Sequence, residues 1–243
     1  MVTRTDMGLF DAPFSEIEKF VAGKRGSAGY RELRINDFSG WPVQADLILE
    51  DDTALELGNP RHGSLALLAW TEEPFEEDSA VLIGPDLAEM GSNSLPFAQI
   101  VLVSGKIDDE YRCFCELRDA VYDTQLKGMM FRVMPSRQTI WIRINRDALD
   151  RGLSLGHLGG ALIQSLESVD FVSGVKIAFV TSGKGDLSGL SGPAAQIERI
   201  VGAMMKMTEE MSYDCDGCEY SDVCQEVAEL KRMRHRLKEG EKR

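Results

Sequence analysis

Three apolar runs, each followed by a stretch of helical periodicity, constrain this chain most. Gln99–Val103, Thr139–Asn145 and Val175–Thr181 read as strands; Asp108–Leu126, His157–Ser168 and Pro193–Met211 read as the helices that follow them. Strand-then-helix order implies crossover connections and a largely parallel core sheet covered on both faces. Four shorter β-type runs come first, Ala45–Glu50, Ala54–Leu57, Ser64–Trp70 and Ala80–Ile83, with turns at Gly58-Asn59-Pro60 and Gly84-Pro85-Asp86. They make the sheet mixed. Ahead of them, Ser15–Glu18 has the form of a capping box opening a short helix that ends near Gly23, and residues 24–30 are loop-like. The predicted fold is α/β: a mixed, mostly parallel sheet flanked by helices, with a cysteine knuckle and a helix at the carboxy-terminal end. Its parts are residues 1–44, 45–211 and 212–243.

The knuckle is the strongest chemical signal. Cys215, Cys218 and Cys224 stand at Cys-x2-Cys-x5-Cys spacing, and Gly217 lets the backbone turn between the first two. Such thiolates hold an iron-sulfur cluster or zinc; a metal-free remnant or a disulfide is the remaining reading. Both metal sites usually take four ligands. Cys113 and Cys115, two apart on one helix and so on different faces, are the candidates within the chain for the fourth, against the alternative of small core residues.

Charge narrows the partners. The 243 residues carry a net charge of −13, which argues against nucleic acid or an anionic membrane. No apolar run approaches a membrane-spanning length and the first residues do not form a signal peptide. Clustered cysteines fit a reducing cytoplasm. A helix from about Asp222 carries Lys231, Arg232, Arg234, Arg236 and Lys238, a basic end suited to docking on an acidic partner or to complementing its own dipole.

Two further features could bind a ligand. Residues 181–192 form a glycine-rich stretch between a strand and a helix, the context of a phosphate cradle, but they lack Walker spacing; a mobile surface loop is the alternative. Arg132, Arg137, Arg143 and Arg146 surround Trp141. Guanidinium groups suit phosphates and an indole offers a stacking face, whereas the plainer reading puts Trp141 in the core and the arginines on a wet face. His62, His157 and His235 form no triad or two-histidine metal motif, and His157 marks a helix start.

Several segments together resemble one family. Leu55-Glu56-Leu57-Gly58-Asn59-Pro60, Leu65-Ala66-Leu67-Leu68 and Val81-Leu82-Ile83-Gly84-Pro85-Asp86 come first, then residues 136–148, then Tyr213, Cys215 and Cys218. Their order and spacing over roughly residues 45–224 are similar to the central domain of acetyl-CoA synthase, the β subunit of the carbon monoxide dehydrogenase/acetyl-CoA synthase complex, running into its metal-bearing domain. The resemblance implies that Cys215, Cys218 and Cys224 correspond to ligands of a nickel and iron-sulfur centre. It also implies that Arg137, Trp141 and Arg143 lie where that family binds coenzyme A. The spacing to Cys224 is shorter than the family's, and neither a fourth cluster cysteine nor a Cys-Gly-Cys motif follows it. The expectation is therefore an iron-sulfur protein without the complete nickel site. It would act as an accessory, electron-transfer or metal-delivery component of one-carbon or acetyl-CoA metabolism in an anaerobic cytoplasm, docked on a larger partner. A non-redox scaffold with zinc or no metal, and a coenzyme A or nucleotide binder, are the alternatives.

Overall fold

The computed structural model describes residues 8–34, 40–91, 94–134 and 138–209. In chain order its elements are α1 (Asp11–Gly23), β1 (Tyr30–Leu33), β2 (Thr53–Leu57), β3 (Ser64–Thr71), β4 (Ser79–Ile83), β5 (Ser94–Leu95), β6 (Phe97–Gly105), α2 (Glu110–Tyr122), β7 (Met129–Met134), β8 (Thr139–Asn145), α3 (Arg146–Asp150), α4 (Leu155–Glu167), β9 (Val172–Val180), α5 (Lys184–Ser188) and α6 (Ser191–Glu209). The fold is α/β, with mixed sheets flanked by helices.

The strands form two sheets, ordered β1-β4-β9-β6-β3 and β5-β2-β8-β7. In the larger sheet β3/β6 and β4/β9 pair in parallel, while β1/β4 and β6/β9 are antiparallel. Parallel pairing is thus half of that sheet rather than most of it, because β9 runs against β6. All nine residues of β6 are buried, which requires cover on both faces. Helix α4 packs on β9 and β4, and α1 and α6 pack on β3. Phe97, Ile100, Leu82 and Phe179 lie in the resulting core.

The smaller sheet is amphipathic. On β8, Ile140, Ile142 and Ile144 are fully buried, and the intervening Thr139, Trp141 and Arg143 are only partly so. This period of two places the isoleucines toward the core with Leu55 and Leu57 of β2. The sheets join where Ser64 Oγ accepts from Ile140 N at 2.8 Å and the Ala66 amide donates to the Gln138 carbonyl at 2.6 Å.

Two local expectations change. The first helix begins at Asp11 after Phe10, four residues before Ser15, because the buried Phe10, Phe14 and Ile17 continue its apolar stripe upstream. Residues 45–50 join neither sheet. Residues 41–49 form an extended strap past the start of β7: Lys127 N donates to the Pro42 carbonyl at 2.9 Å, and Gly128 N donates to Asp46 Oδ2. Only Ile48 of the strap is buried, while Val43, Leu47 and Leu49 are exposed.

Candidate ligand face of the small sheet

The residues with unusual surroundings lie on the outer face of the smaller sheet. A register shift between Thr53 and Leu55 sets Glu56 directly across from Arg143, which is in turn across from Met130 of β7. Ser94 of β5 pairs with Glu56 from the other side. One row across the sheet is therefore Ser94, Glu56, Arg143 and Met130, and the next holds Trp141 beside Arg132.

Glu56 is the anchor of the first row. Its Oε2 accepts from Asn59 Nδ2 at 2.7 Å and Ser94 Oγ at 3.1 Å, and its Oε1 lies 3.6 Å from Arg143 Nε. The Glu56 and Arg143 side chains are 15% and 17% exposed, so this ion pair is largely withdrawn from water. Burial acts to raise the Glu56 carboxyl. The donors Asn59 and Ser94, the nearby Trp141 indole N–H and the Arg143 charge outweigh it and hold the group below its ordinary value.

The arginines also bracket Trp141. The Arg143 guanidinium carbon is 4.5 Å from the centre of the Trp141 ring and that of Arg132 is 5.3 Å away, both within cation–π range. Arg143 reaches the strap too, with Nη1 3.5 Å from the Ile48 carbonyl. Yet Thr139 Oγ1, Trp141 Nε1 and Arg143 Nε are buried and lack a hydrogen bond. The indole N–H is close enough to influence Glu56 without the geometry of a hydrogen bond. Three buried donors on alternate residues of one strand face the same way. Unpaired buried donors are costly, and an oxyanion is a group that satisfies several at once.

The expected grouping of Trp141 with Arg143 thus appears in space, on one face and not divided between core and water. Arg146 instead opens α3, and Arg137 lies outside the described residues. Sequence reading missed Glu56 and Asn59. Their only signal was a glutamate inside the alternating Leu55-Glu56-Leu57 run, ahead of a Gly-Asn turn.

The other candidates sit apart from this face. The glycine-rich stretch carries regular structure: Lys184–Ser188 is helical, Leu187 and Leu190 are buried, and Asp186 binds both Lys24 and Ser182. His157 lies in the first turn of α4, where its Nδ1 accepts from Ser154 N at 3.1 Å. Burial lowers its pKa, and its ring lies tilted by 59° against that of Trp41, with the centroids 4.7 Å apart.

Cys113 is fully buried on α2, where burial pushes its thiol up, and Cys115 is partly exposed. Burial thus disfavours the thiolate, the form a metal takes, at Cys113. Among the described residues no group of three or more His, Cys, Asp or Glu side chains is placed to hold a metal. Cys215, Cys218, Cys224 and the basic stretch after Asp222 lie outside them. Among the described residues, no helix is long and apolar enough to cross a membrane.

Comparison with known proteins finds relatives of one kind. Over 122 residues the chain is 33% identical to the acetyl-CoA decarbonylase/synthase complex subunit beta 2 of Methanocaldococcus jannaschii, covering 49% of this chain and 25% of that protein. Over 143 residues it is 27% identical to the subunit beta of Archaeoglobus fulgidus and 26% identical to that of Methanopyrus kandleri. Each match covers 57% of this chain, and 27% and 30% of the respective relative. The matches span about a quarter to a third of these relatives' length. A family model described as CO dehydrogenase/acetyl-CoA synthase complex beta subunit matches residues 41–185, which contain the strap, the smaller sheet and most of the larger one. With more than half of its length matched, the chain belongs to the CO dehydrogenase/acetyl-CoA synthase complex beta subunit family.

Proposed function

We propose that this protein serves acetyl-CoA and one-carbon metabolism as a component of a multisubunit assembly, and that it presents the outer face of the smaller sheet to coenzyme A or a related phosphorylated nucleotide. The relatives are named as subunits of an acetyl-CoA decarbonylase/synthase complex. The observation that carries the ligand reading is the row Thr139, Trp141 and Arg143, three buried donors without acceptors inside the family-matched region. Arg143 supplies a planar cation for a phosphate, Arg132 a second positive charge, and the indole an apolar surface between them. Arg137, in the connection between β7 and β8, adds a third cation in this reading. Titration calorimetry with coenzyme A on the full chain tests it. Saturable binding to wild type that weakens at least about tenfold in Trp141→Ala is expected, and equal binding to both proteins would contradict it.

The same reading assigns Cys215, Cys218 and Cys224 to an iron-sulfur cluster in a reducing cytoplasm, with a fourth ligand from Cys113, Cys115 or a partner. Cys115, the more exposed of the two, is the better donor. A cluster at that position would supply electron transfer or a Lewis-acidic iron. Iron and sulfide analysis after anaerobic purification, on wild type and Cys218→Ser, checks the assignment. Iron with sulfide in wild type, lost in the variant, is the expected result; zinc alone would leave a structural metal site, and no metal would leave a scaffold.

A further inference from the structure

The charge that would attract a phosphate at Arg143 is already engaged. Glu56 Oε1 faces Arg143 Nε across 3.6 Å, with both side chains largely buried. The carboxylate does not depend on that contact for its position, because its other oxygen is held by Asn59 at 2.7 Å and Ser94 at 3.1 Å. The ion pair is too long for a hydrogen bond, and Arg143 Nε, Trp141 Nε1 and Thr139 Oγ1 are left without acceptors. Glu56 therefore neutralises the arginine without satisfying its neighbours. An incoming oxyanion can do both, but it must approach a fixed carboxylate to reach the guanidinium.

We propose that Glu56 is an internal competitor for Arg143 and a specificity-determining residue of this face, one that admits a phosphate-bearing ligand and turns away weaker single-charge anions. This rests on the ligand reading given above. Binding exchanges the Glu56 Oε1 contact for a ligand oxygen, while Asn59 and Ser94 retain Glu56 Oε2. A carboxylate or halide offers too little charge and too few acceptor atoms to displace Glu56 and also pair the indole and hydroxyl. A phosphate offers several oxygens and up to two charges. No bond is made or broken in this exchange.

The test is titration calorimetry of adenosine 3′,5′-bisphosphate into the full chain as wild type, Glu56→Gln and Arg143→Ala, with acetate as the monoanion probe. Glu56→Gln keeps an acceptor for Asn59 and removes the competing charge. It should bind the bisphosphate about tenfold more tightly than wild type and gain measurable acetate binding, while Arg143→Ala loses at least about tenfold. Circular dichroism establishes that each variant is folded; if Glu56→Gln is not, Glu56→Met carries the same expectation. Unchanged or weaker bisphosphate binding in the charge-removed variant, with wild type still binding, overturns the competitor role and leaves the ligand face standing. Absence of binding in both wild type and Glu56→Gln overturns the ligand face and the competitor role with it. Binding in Glu56→Gln alone supports the competitor role in its strongest form.

Discussion

Glu56 and Glu167 are carboxylates moved in opposite directions by their neighbours, and pH separates them. The folded protein holds Glu56 below its ordinary 4.5, so its contribution to stability is present above that value and is lost as pH falls through the depressed one. At neutral pH, Glu56→Gln should cost about 1 kcal/mol, and the difference should shrink on acidification. Denaturant midpoints from pH 7 down to the acid limit check this; a gap that does not narrow would contradict it. Glu167 is raised, first by a hydrogen bond shared with Asp78, then by burial and by the Asp78 charge. Its favourable contribution is present below the ordinary 4.5 and is lost as pH rises through the raised value. Glu167→Gln should therefore match or exceed wild-type stability at neutral pH and lose that advantage in acid, which the same titration reads. Trp141 and Arg143 could be grouped from sequence because two residues on one strand share a face. Glu56 could not, since its contact with Arg143 depends on which strand pairs with β8 and on a one-residue register shift.

At the scale of elements, the small sheet depends on one backbone position. Gly58 follows β2 with φ +71, and a Cβ built there would sit 2.2 Å from the Ile140 carbonyl oxygen. Gly58→Ala should cost about 3 kcal/mol or more in urea unfolding and weaken ligand binding, because it displaces the turn that carries Asn59; a change under about 1 kcal/mol would contradict the packing. Asp109 caps α2, accepting from Arg112 N at 2.9 Å, and Asp109→Ala should cost about 1 kcal/mol in the same assay. The strands at residues 64–71, 79–83 and 139–145 were legible because alternating or continuous apolar runs ended at turn residues. The division into two sheets was not, because β1 and β5 are short edge strands without an apolar signature. Met-Met-Phe-Arg-Val-Met of β7 has no clear alternation in sequence either. Residues 45–50 imitate a strand in composition, but Leu47 and Leu49 face water, and the strap is tied to the start of β7 by the Asp46 side chain and the Pro42 carbonyl instead of a ladder.

For the whole molecule, family membership was legible from ordered short segments even though the topology was not. Turns such as Gly58-Asn59-Pro60 and Gly84-Pro85-Asp86 mark fixed approaches of backbone to backbone: Gly58 nears Ile140, and Gly84 nears Thr181 and Ser182. In a chain of net charge −13, Arg132 and Arg143 set two cations beside Trp141 on one sheet face. Occupation of that face should stabilise the entire fold, because Ser64 and Ile140 tie the small sheet to the large one. Thermal unfolding of the full chain, with and without coenzyme A, on wild type and Arg143→Ala, tests this most directly. At a ligand concentration about 100 times Kd the wild type should gain about 2.7 kcal/mol, or about 5–10 °C in Tm, and Arg143→Ala should gain far less. An equal rise in both proteins, or no rise in wild type at millimolar ligand, would contradict the assignment of this face.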